Sequence, residues 1–456
     1  MICKRFAYSL LVALLVACTP QLQPPKIDPP TAYRYTDQFS EDSLALSPRW
    51  WELFGDTVLN RLVERALTNN RDLWVATSRI EQAREQLRVA RAAYLPDVGL
   101  GVTASANYNK AAKITQEYAV EPTLSWEISL FGALRRTTEG ARAEIASLVW
   151  NRRGVELSLA AEVATTYFTL LQYERDLLIA TRTYALRSES AALIDSMYRY
   201  GMSSGIDREQ AYSLVYSAEA DIPRYRSAIE QTALSLNLLL GDTPQDYEPI
   251  GVGAELLTDS LPEALPIGMP SELLTRRPDV MVANYRLQQA ASSAGVARSN
   301  RFPSISLTAK AGIGANSIDG LTSSNPAVWS AVGSIVEPIF AFGRLRAAER
   351  AAVEAYNEAA YTYEQTVLAA FVDVETALST IQSNRIETER YGELVSSYRR
   401  IVEMAHALYR NGMVNYLDVI DAERTLYTAQ MEYVNLLAQQ YINYISLCKA
   451  LGGGWR

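Results

Sequence analysis

Ala90-Arg91-Ala92-Ala93-Tyr94-Leu95-Pro96 leads into a segment with a strict alternation. Its even positions, Val98, Leu100, Val102, Ala104, Ala106 and Tyr108, are apolar. Its odd positions, Asp97, Gly99, Gly101, Thr103, Ser105 and Asn107, are small or polar. The alternation returns in Tyr118, Val120, Leu124, Trp126, Ile128 and Leu130 against Glu121, Thr123, Ser125, Glu127 and Ser129, and closes on Leu130-Phe131-Gly132-Ala133-Leu134-Arg135. A period of two makes a strand with one wet and one apolar face. Amphipathic segments of about ten residues with aromatic ends suit an outer-membrane β-barrel. The block recurs: Ala297-Arg298-Ser299-Asn300-Arg301-Phe302-Pro303, strands carrying Ile305, Leu307, Ala309, Ala311 and Ile313 and then Trp329, Ala331, Ile335 and Ile339, and a close on Ala341-Phe342-Gly343-Arg344-Leu345-Arg346. Glu337 falls on the apolar face of the fourth strand and is the exception to its pattern.

Outward from the strands the period changes to that of a helix. A helix is expected from Asp56, which can cap it, to about Tyr94. From Ala133 to about Tyr200 there is no proline, and Leu157, Ala160, Ala161, Ala164, Phe168 and Leu171 recur at steps of one, three and four. Those 68 positions would reach about 100 Å at about 1.5 Å per residue, a length that needs a coiled-coil-like partner. Gly201 to Gly205 breaks the pattern, and Asp207 restarts it to about Leu240, with a kink or interruption expected at Pro223. The second half repeats this order: a helix over about 271–301, the strands, a helix over about 344–410, the turn Asn411-Gly412-Met413 and a last helix to the glycines Gly452-Gly453-Gly454.

Gly132 to Gly343, Gly201 to Gly412, Asp207 to Asp418 and Leu240-Gly241 to Leu451-Gly452 are each 211 positions apart, whereas Pro96 to Pro303 is 207. A constant offset over several landmarks is the mark of duplication. The four extra residues belong inside the strand pair, most easily in the second loop, about 316–326. The expected architecture is mainly α with a membrane β part: two tandem repeats, 49–241 with strands in 97–131 and 271–456 with strands in 304–340, joined by an irregular Pro/Gly/Asp-rich linker at 242–270. In each repeat two shorter helices placed end to end would match one long helix, giving a long antiparallel bundle with strands at one end and turns at the other. Four strands cannot close a barrel, and open strand edges in lipid leave backbone groups without partners. Three chains would give twelve strands, a number within the range of closed outer-membrane barrels.

The start of the chain reads as an export signal over residues 1–17: Lys4 and Arg5, an apolar run from Phe6 to Ala17, then Leu15-Val16-Ala17-Cys18, which resembles a bacterial lipobox. That resemblance implies cleavage before Cys18 and acylation of its thiol; the other reading is an ordinary signal peptide ending near a cysteine. Residues 18–48, with Pro20, Pro24, Pro25, Pro29, Pro30 and Pro48, read as an extended tether. Cys448 lies in an apolar helical pattern and reads as a small core residue. The net charge of −8, with no basic block, gives no support to nucleic-acid binding.

The motifs, taken in order, are similar to those of the TolC-like outer-membrane efflux proteins, in the lipoprotein branch that serves resistance-nodulation-division pumps. They are Leu15-Val16-Ala17-Cys18, Trp50-Trp51-Glu52-Leu53-Phe54, Ala90-Arg91 through Leu95-Pro96, Trp126-Glu127-Ile128-Ser129-Leu130-Phe131-Gly132, Arg276-Arg277-Pro278-Asp279-Val280, Phe302-Pro303-Ser304-Ile305-Ser306-Leu307, Tyr416-Leu417-Asp418-Val419-Ile420-Asp421-Ala422 and Ala450-Leu451-Gly452-Gly453-Gly454-Trp455. The resemblance implies a homotrimer with a 12-stranded barrel in the bacterial outer membrane and a helical tunnel through the periplasm. It also implies a periplasmic adaptor and an inner-membrane pump as partners at the tip, and no cofactor or catalytic step.

The tip turns are Gly201, Met202 and Ser203 in the first repeat and Gly412, Met413 and Val414 in the second, where adaptor docking is expected. Asp418, Asp421 and Arg424 follow at three-residue steps and can share a helix face. In a trimer each acid becomes a ring of three carboxylates, and charge rings at a constriction set selectivity and gating. By matching positions the resemblance makes Asp418 and Asp421 an acidic gate with Tyr409 and Arg424 as latch partners. The other reading of the two acids is the preference for negative charge in a first helical turn, which suits Asp418 better than Asp421. Gln210 stands opposite Asp421 in the first repeat, so the deeper ring would draw on the second repeat alone. Where family members carry a basic latch residue four before Asp418, this chain has Val414.

His406 is the only histidine, so no triad or histidine-rich metal site can be assembled, and Gly452-Gly453-Gly454 lacks the lysine and hydroxyl of a phosphate loop. The expected function is a passive efflux duct for drugs or other small molecules. A type I protein-secretion duct and a non-conducting coiled-coil lipoprotein are the competing readings.

Overall fold

The computed structural model describes residues 22–23, 25–34, 47–109, 113–244, 270–323 and 327–454. The expected signal peptide, Cys18, much of the tether, most of the linker and Trp455 lie outside the described residues. The chain divides into two compact units, one built on Ala76–Asn151 and Asp279–Thr366, the other on Asp28–Val75, Arg152–Pro278 and Val367–Arg456. The helices are α1 (Thr57–Asn69), α2 (Arg71–Ala92), α3 (Ala133–Arg199), α4 (Gly205–Leu240), the single turn α5 (Leu273–Arg276), α6 (Pro278–Ser299), the single turn α7 (Gly320–Ser323), α8 (Arg344–Arg410) and α9 (Tyr416–Ala450). The strands are β1 (Asp97–Asn109), β2 (Lys113–Ile128), β3 (Ser304–Ala315) and β4 (Ala327–Val336), in one antiparallel sheet of order β1-β2-β3-β4. Among the described residues no helix is long and apolar enough to cross a membrane.

The first unit holds the sheet. Its registers pair Val98 with Leu124, Val102 with Val120, Trp126 with Leu307, Ile128 with Ile305, and Ile305 in turn with Ile335. Apart from Gln116, opposite Ala106, one face is therefore apolar across all four strands. The other carries Gly99 opposite Thr123, Thr123 opposite Lys310, and Ser306 opposite Ser334, whose hydroxyls lie 2.6 Å apart. Glu337 does not break the pattern, because β4 ends at Val336, one residue before the pair Glu337-Pro338; a residue preceding proline and the proline itself suit a strand end.

The β2–β3 ladder has a gap at Glu121 and Pro122, where the proline has no N–H to give. Gly312 closes up against the gap: a Cβ there would stand 2.2 Å from the Val120 carbonyl oxygen and 2.7 Å from the Glu121 Cα. Below the strands Phe131 stacks on Phe302 at 4.9 Å, and the Ser299 hydroxyl donates to the Phe131 carbonyl at 2.8 Å. Leu22 packs with Leu287, Tyr356 and Ala360, and Tyr356 donates to the Gln23 carbonyl at 3.1 Å, so this part of the tether lies on α6 and α8.

The second unit is an all-helical core in which Leu59, Val63, Phe168, Leu171, Leu236, Leu378, Val434 and Ile445 are buried together. Phe168 stacks on Tyr441 at 4.3 Å and meets Phe54 edge-on at 5.4 Å. Cys448 is buried there, and burial pushes its thiol up to about 12.

Three expectations need correction. The helix expected over 56–94 is two helices, broken at Asn70, whose ψ of 132° is extended and whose side chain caps Asp72 N–H at 2.8 Å while donating to the Leu239 carbonyl at 3.0 Å. The helix over 271–301 is broken at Arg277, ψ 124°, ahead of Pro278 at the first position of α6. Conversely, α4 runs without interruption through Pro223.

Gly241 (φ +75°) and Gly452 (φ +87°) end the helical runs of the two repeats in the left-handed conformation. An added Cβ would lie 2.7 Å from the Asn69 carbonyl and 3.0 Å from the Arg276 carbonyl respectively, so both glycines are fixed by close approach as well as by φ.

Gly312 supplies a direct test of the sheet. Gly312→Ala should cost roughly 1–3 kcal/mol of packing strain and lower the yield of folded protein in the outer membrane. Gly333→Ala, at a position with nothing within 4 Å, should leave that yield unchanged.

Candidate functional site

The two turns of the second unit are built alike. After α3, Gly201 takes φ +75° and Met202 N–H reaches back to the Met197 carbonyl at 2.8 Å; after α8, Gly412 takes φ +70° and Met413 N–H reaches the Leu408 carbonyl at 3.0 Å. This is the glycine-terminated helix ending in which a left-handed residue satisfies the last carbonyls. The next helix is capped in the same way each time. The Ser204 N–H donates to Asp207 Oδ2 at 3.1 Å, and the Asn415 N–H to Asp418 Oδ2 at 3.1 Å. Met202 and Met413 are exposed at the two turns.

The structure thus gives Asp418 a definite local task, the capping of α9, while leaving the residue exposed. Asp421 lies one turn further on, exposed, with its Oδ1 3.0 Å from Arg424 Nη2. Tyr409 bonds neither acid. Its ring packs on Tyr416 at 5.3 Å, and its hydroxyl hydrogen-bonds Ser203 of the other turn. Burial pushes the Tyr409 phenol up, the Ser203 bond lowers it and Asp207 raises it again. Ser203 also donates to Asp207 Oδ2 at 3.1 Å. Burial raises the Asp207 carboxyl, but the bonds from Ser204 and Ser203 together hold it below the usual carboxylate range. Of the four expected gate residues, the structure therefore pairs Asp421 with Arg424, gives Asp418 to the cap, and turns Tyr409 toward the first repeat's turn.

Behind the turns lies a polar layer that sequence reasoning missed. Arg187 of α3 is buried; its Nη1 donates to the Leu214 carbonyl of α4 at 3.2 Å and its Nε lies 3.9 Å from Glu423 Oε2 of α9. Glu423 Oε1 is 2.9 Å from His406 Nε2 of α8. One carboxylate therefore faces cationic or donor groups from two other helices. Burial lowers the Arg187 guanidinium, and Glu423, Tyr427 and Asp221 raise it. Further along, Tyr427 donates to Asp221 Oδ2 at 2.7 Å, Asp221 Oδ1 pairs with Arg224 at 2.9 Å, and the Tyr225 hydroxyl meets Met431 Sδ at 3.7 Å. Arg187, Asp221, Glu423 and Tyr427 are too widely separated in the chain for spacing to reveal the layer. The one available signal was a lone histidine exactly one repeat, 211 positions, after Asp195, the acid that binds Arg208 at 2.7 Å and Arg199 at 2.6 Å.

Among the described residues no group of histidines, cysteines and acids is placed to hold a metal. The arrangement offers exposed, paired charges at the helix turns, joined by hydrogen bonds between the two hairpins, and long helices that continue into an amphipathic sheet with open edges. An amphipathic sheet with unpaired edges and long helices are the elements of a membrane channel protein.

The comparisons with known proteins agree. The family model described as outer membrane efflux protein matches residues 62–242 and 269–453. A solvent efflux pump outer membrane protein, SrpC of Pseudomonas putida, is 34% identical over 437 residues, covering 93% of this chain and 92% of its own. The probable outer membrane lipoprotein SilC of Salmonella typhimurium is 31% identical over 457 residues, covering 98% and 97%. The crystal structure of the open state of the MtrE outer membrane channel of Neisseria gonorrhoeae superimposes with a TM-score of 0.80 at 28% identity, covering 96% of this chain and 98% of that one. The chain belongs to the outer membrane efflux protein family. It is an efflux channel of the outer membrane, and the family is one of channel proteins rather than enzymes.

A pH dependence of stability follows from the helix core. Burial raises the Asp176 carboxyl to about 7, against a lowering by Arg224, and burial alone raises Glu174 to about 7. Both groups hold a proton in the folded chain at pH values where the unfolded chain has lost it, so their contribution to stability is greatest in acid and is lost as pH rises from about 4 to 7. Asp176→Asn, which stays neutral, should raise the melting temperature at pH 8, by an effect on the order of 1 kcal/mol, and leave it little changed at pH 4. Equal melting shifts at the two pH values would count against a buried, protonated Asp176.

Proposed function

We propose that the protein is the exit duct of a three-part efflux assembly: a homotrimer whose sheets join into one 12-stranded barrel, anchored by lipid on Cys18, receiving small molecules or ions from an inner-membrane pump through a periplasmic adaptor. The observation that carries the reading is the open four-stranded sheet. Apart from Gln116 near the end of the first hairpin, one face is apolar, as lipid requires, but β1 and β4 each have a free hydrogen-bonding edge, which lipid does not tolerate. Closure with further copies removes the edges. The names of the relatives, solvent efflux among them, support small cargo over secreted protein. Energy comes from the pump, and the duct needs no cofactor of its own.

In this reading the adaptor docks at the turns, on Gly201, Met202 and Ser203 and on Gly412, Met413 and Val414. The gate is formed by Asp418, Asp421, Arg424 and Tyr409. Asp421 and Arg424 are its charged ring, Asp418 lends one carboxylate oxygen to the α9 cap and stays exposed, and Tyr409 ties the second hairpin to the first through Ser203. The residue domains follow the repeats, 49–241 and 271–456, with the 242–270 linker between them, behind the 1–17 signal peptide and the 18–48 tether.

Planar-bilayer recording tests the duct and the gate together. The purified protein should conduct weakly at rest, and Asp421→Ala should raise the conductance by opening the ring and freeing Arg424. No conductance in either form sinks the duct; equal conductance in both sinks the gate.

The anchor is tested by intact mass. The mature protein should begin at Cys18 and carry acyl chains, and a mass without them rejects the lipidation.

A further inference from the structure

All four strands meet the helices at one end of the sheet. Asp97, where β1 begins, stands opposite Ser125 near the end of β2, and Ser304, where β3 begins, stands opposite Val336, where β4 ends. The four junctions there are the last turns of α2 and α6, the first turns of α3 and α8, and the residues between them and the strands. They span 89–96, 129–136, 296–303 and 337–347. In a chain with 51 acidic and 43 basic residues, these stretches hold seven arginines and one acid, Glu337. Arg91 and Arg298 are 207 positions apart and Arg135 and Arg346 are 211 apart, the offsets of the duplication, so both repeats carry the pattern.

Helix geometry accounts for only some of these arginines. Arg91 and Arg298 lie in last turns, where the helix dipole favours a cation. Arg135, Arg136, Arg344 and Arg346 stand in the first turns of α3 and α8, which contain no acid, and there the dipole opposes a cation. Nearby acids do not balance them. Arg135 and Arg136 share the one carboxylate of Glu139, at 3.6 and 3.1 Å, and Arg301 pairs with Glu349. Arg91, Arg344 and Arg346 are exposed and make no ion pair among the described residues. The acids at the strand ends, Asp97 and Glu127, lie on the polar face, opposite Ser125 and Ser306. The same junctions expose the apolar side chains of Leu95, Leu130, Ile339, Phe340 and Phe342. Trp126, on the apolar face, donates to the Tyr94 carbonyl at 3.0 Å, and the Tyr94 N–H bonds the Arg91 carbonyl at 3.1 Å. Those bonds tie the end of α2 to the border of the apolar face.

Exposed apolar side chains beside exposed guanidinium groups, at the end of an amphipathic sheet, match the boundary where hydrocarbon gives way to headgroup phosphate. An arginine fork binds phosphate through paired hydrogen bonds and keeps its charge. We propose that the junctions are a binding surface for anionic phospholipid headgroups in the membrane leaflet nearer the helices, with Arg91, Arg135, Arg344 and Arg346 as its phosphate-binding cations. The proposal rests on the barrel reading above, which puts the apolar face in hydrocarbon. Charged groups are costly in hydrocarbon, so the same arginines fix the depth at which the sheet sits.

Native mass spectrometry tests the surface by counting the lipids that the full-length protein retains from micelles. The micelles contain equal amounts of phosphatidylglycerol, which is anionic, and phosphatidylethanolamine, which has no net charge. The unchanged protein should retain phosphatidylglycerol preferentially, and the preference should fall as salt is raised, because exposed charges are screened. Arg346→Gln should lower it about fivefold, the effect of one basic group at an anionic lipid surface. Arg135→Gln with Arg344→Gln and Arg346→Gln should abolish it. Arg226→Gln with Arg385→Gln and Arg399→Gln removes the same charge from exposed positions of the second unit and should leave the preference intact. The salt series needs no variant, so it decides the matter even where the triple variant does not fold. Equal retention of the two lipids, a preference indifferent to salt, or the same loss in both triple variants overturns the proposal. So does an unchanged lipid count in the junction variant with altered ion selectivity in planar bilayers, which would place the arginines on the duct. Reconstitution into lipid discs separates the two readings. A protein that does not insert overturns the barrel and this surface together, whereas one that inserts without preferring phosphatidylglycerol overturns the surface alone.

Discussion

The structure turns on a backbone hydrogen-bonding requirement. In the hydrocarbon of a membrane each strand must give its N–H and C=O groups to a neighbour, and this chain supplies neighbours for the inner edges only. The sheet's composition follows from that. Its strands alternate, so one face, Gln116 apart, is apolar from β1 to β4. Its one internal proline sits where the ladder is already interrupted, and a glycine lets the strands close over it. The free edges carry no protective device within the strands: neither β1 nor β4 contains a lysine or a proline, the residues that blunt exposed edges in soluble sheets.

Duplication supplies the rest of the architecture, and the structure shows where the copies have parted. Both repeats break a helix at equivalent points, Asn70 and Arg277. Both press a left-handed glycine against the preceding residue, Gly241 on Asn69 and Gly452 on Arg276. Both turns use the same glycine and the same acidic cap. The differences gather in the second hairpin. Asp421 replaces Gln210, and His406 with Glu423 occupies the level at which the first hairpin uses Asp195 with Arg199 and Arg208. Positions under the same packing demands remained alike, and the charged groups at the turn diverged.

Much of this was legible in the sequence because it depends on short-range pattern. Period two marked the strands, the 211-residue offset marked the repeats, and Gly201 and Gly412 marked the turns. The break at Arg277 had its signal in Pro278, yet the helical periodicity on either side masked it. The break at Asn70 has no proline; it is held by the Asn70 side chain bonding Asp72 and the distant Leu239 carbonyl, a tertiary cause. Pro223 shows the reverse: a helix breaker by local rules sits inside a continuous helix, which Asp221 and Tyr225 join to α9 through Tyr427 and Met431. Glu337 looked anomalous only because the strand was drawn too long. At the site, the spacing placed Asp421 and Arg424 on one helix face, where the structure pairs them. Nothing local could foretell that Tyr409 turns to Ser203, or that Arg187 and Glu423 meet.

The contacts between the two hairpins change in character along the helices. The helix core around Phe168, Leu236 and Tyr441 is apolar and closely packed, and separating it would expose that surface at a cost of about 25 cal/mol per Å². Toward the turns the hairpins meet through a smaller apolar cluster, Ile194, Ala211 and Val215 with Val419 and Ile420, and also through Tyr427 and Asp221, Arg187 and Glu423, and Tyr409 and Ser203. A hydrogen bond exchanged for water loses only about 0.5–1.5 kcal/mol net. Such bonds also have a defined geometry, so they specify one closed arrangement when they are made. The polar contacts therefore add a defined geometry to an apolar contact, and the buried surface of the cluster near the turns is smaller than that of the core around Phe168.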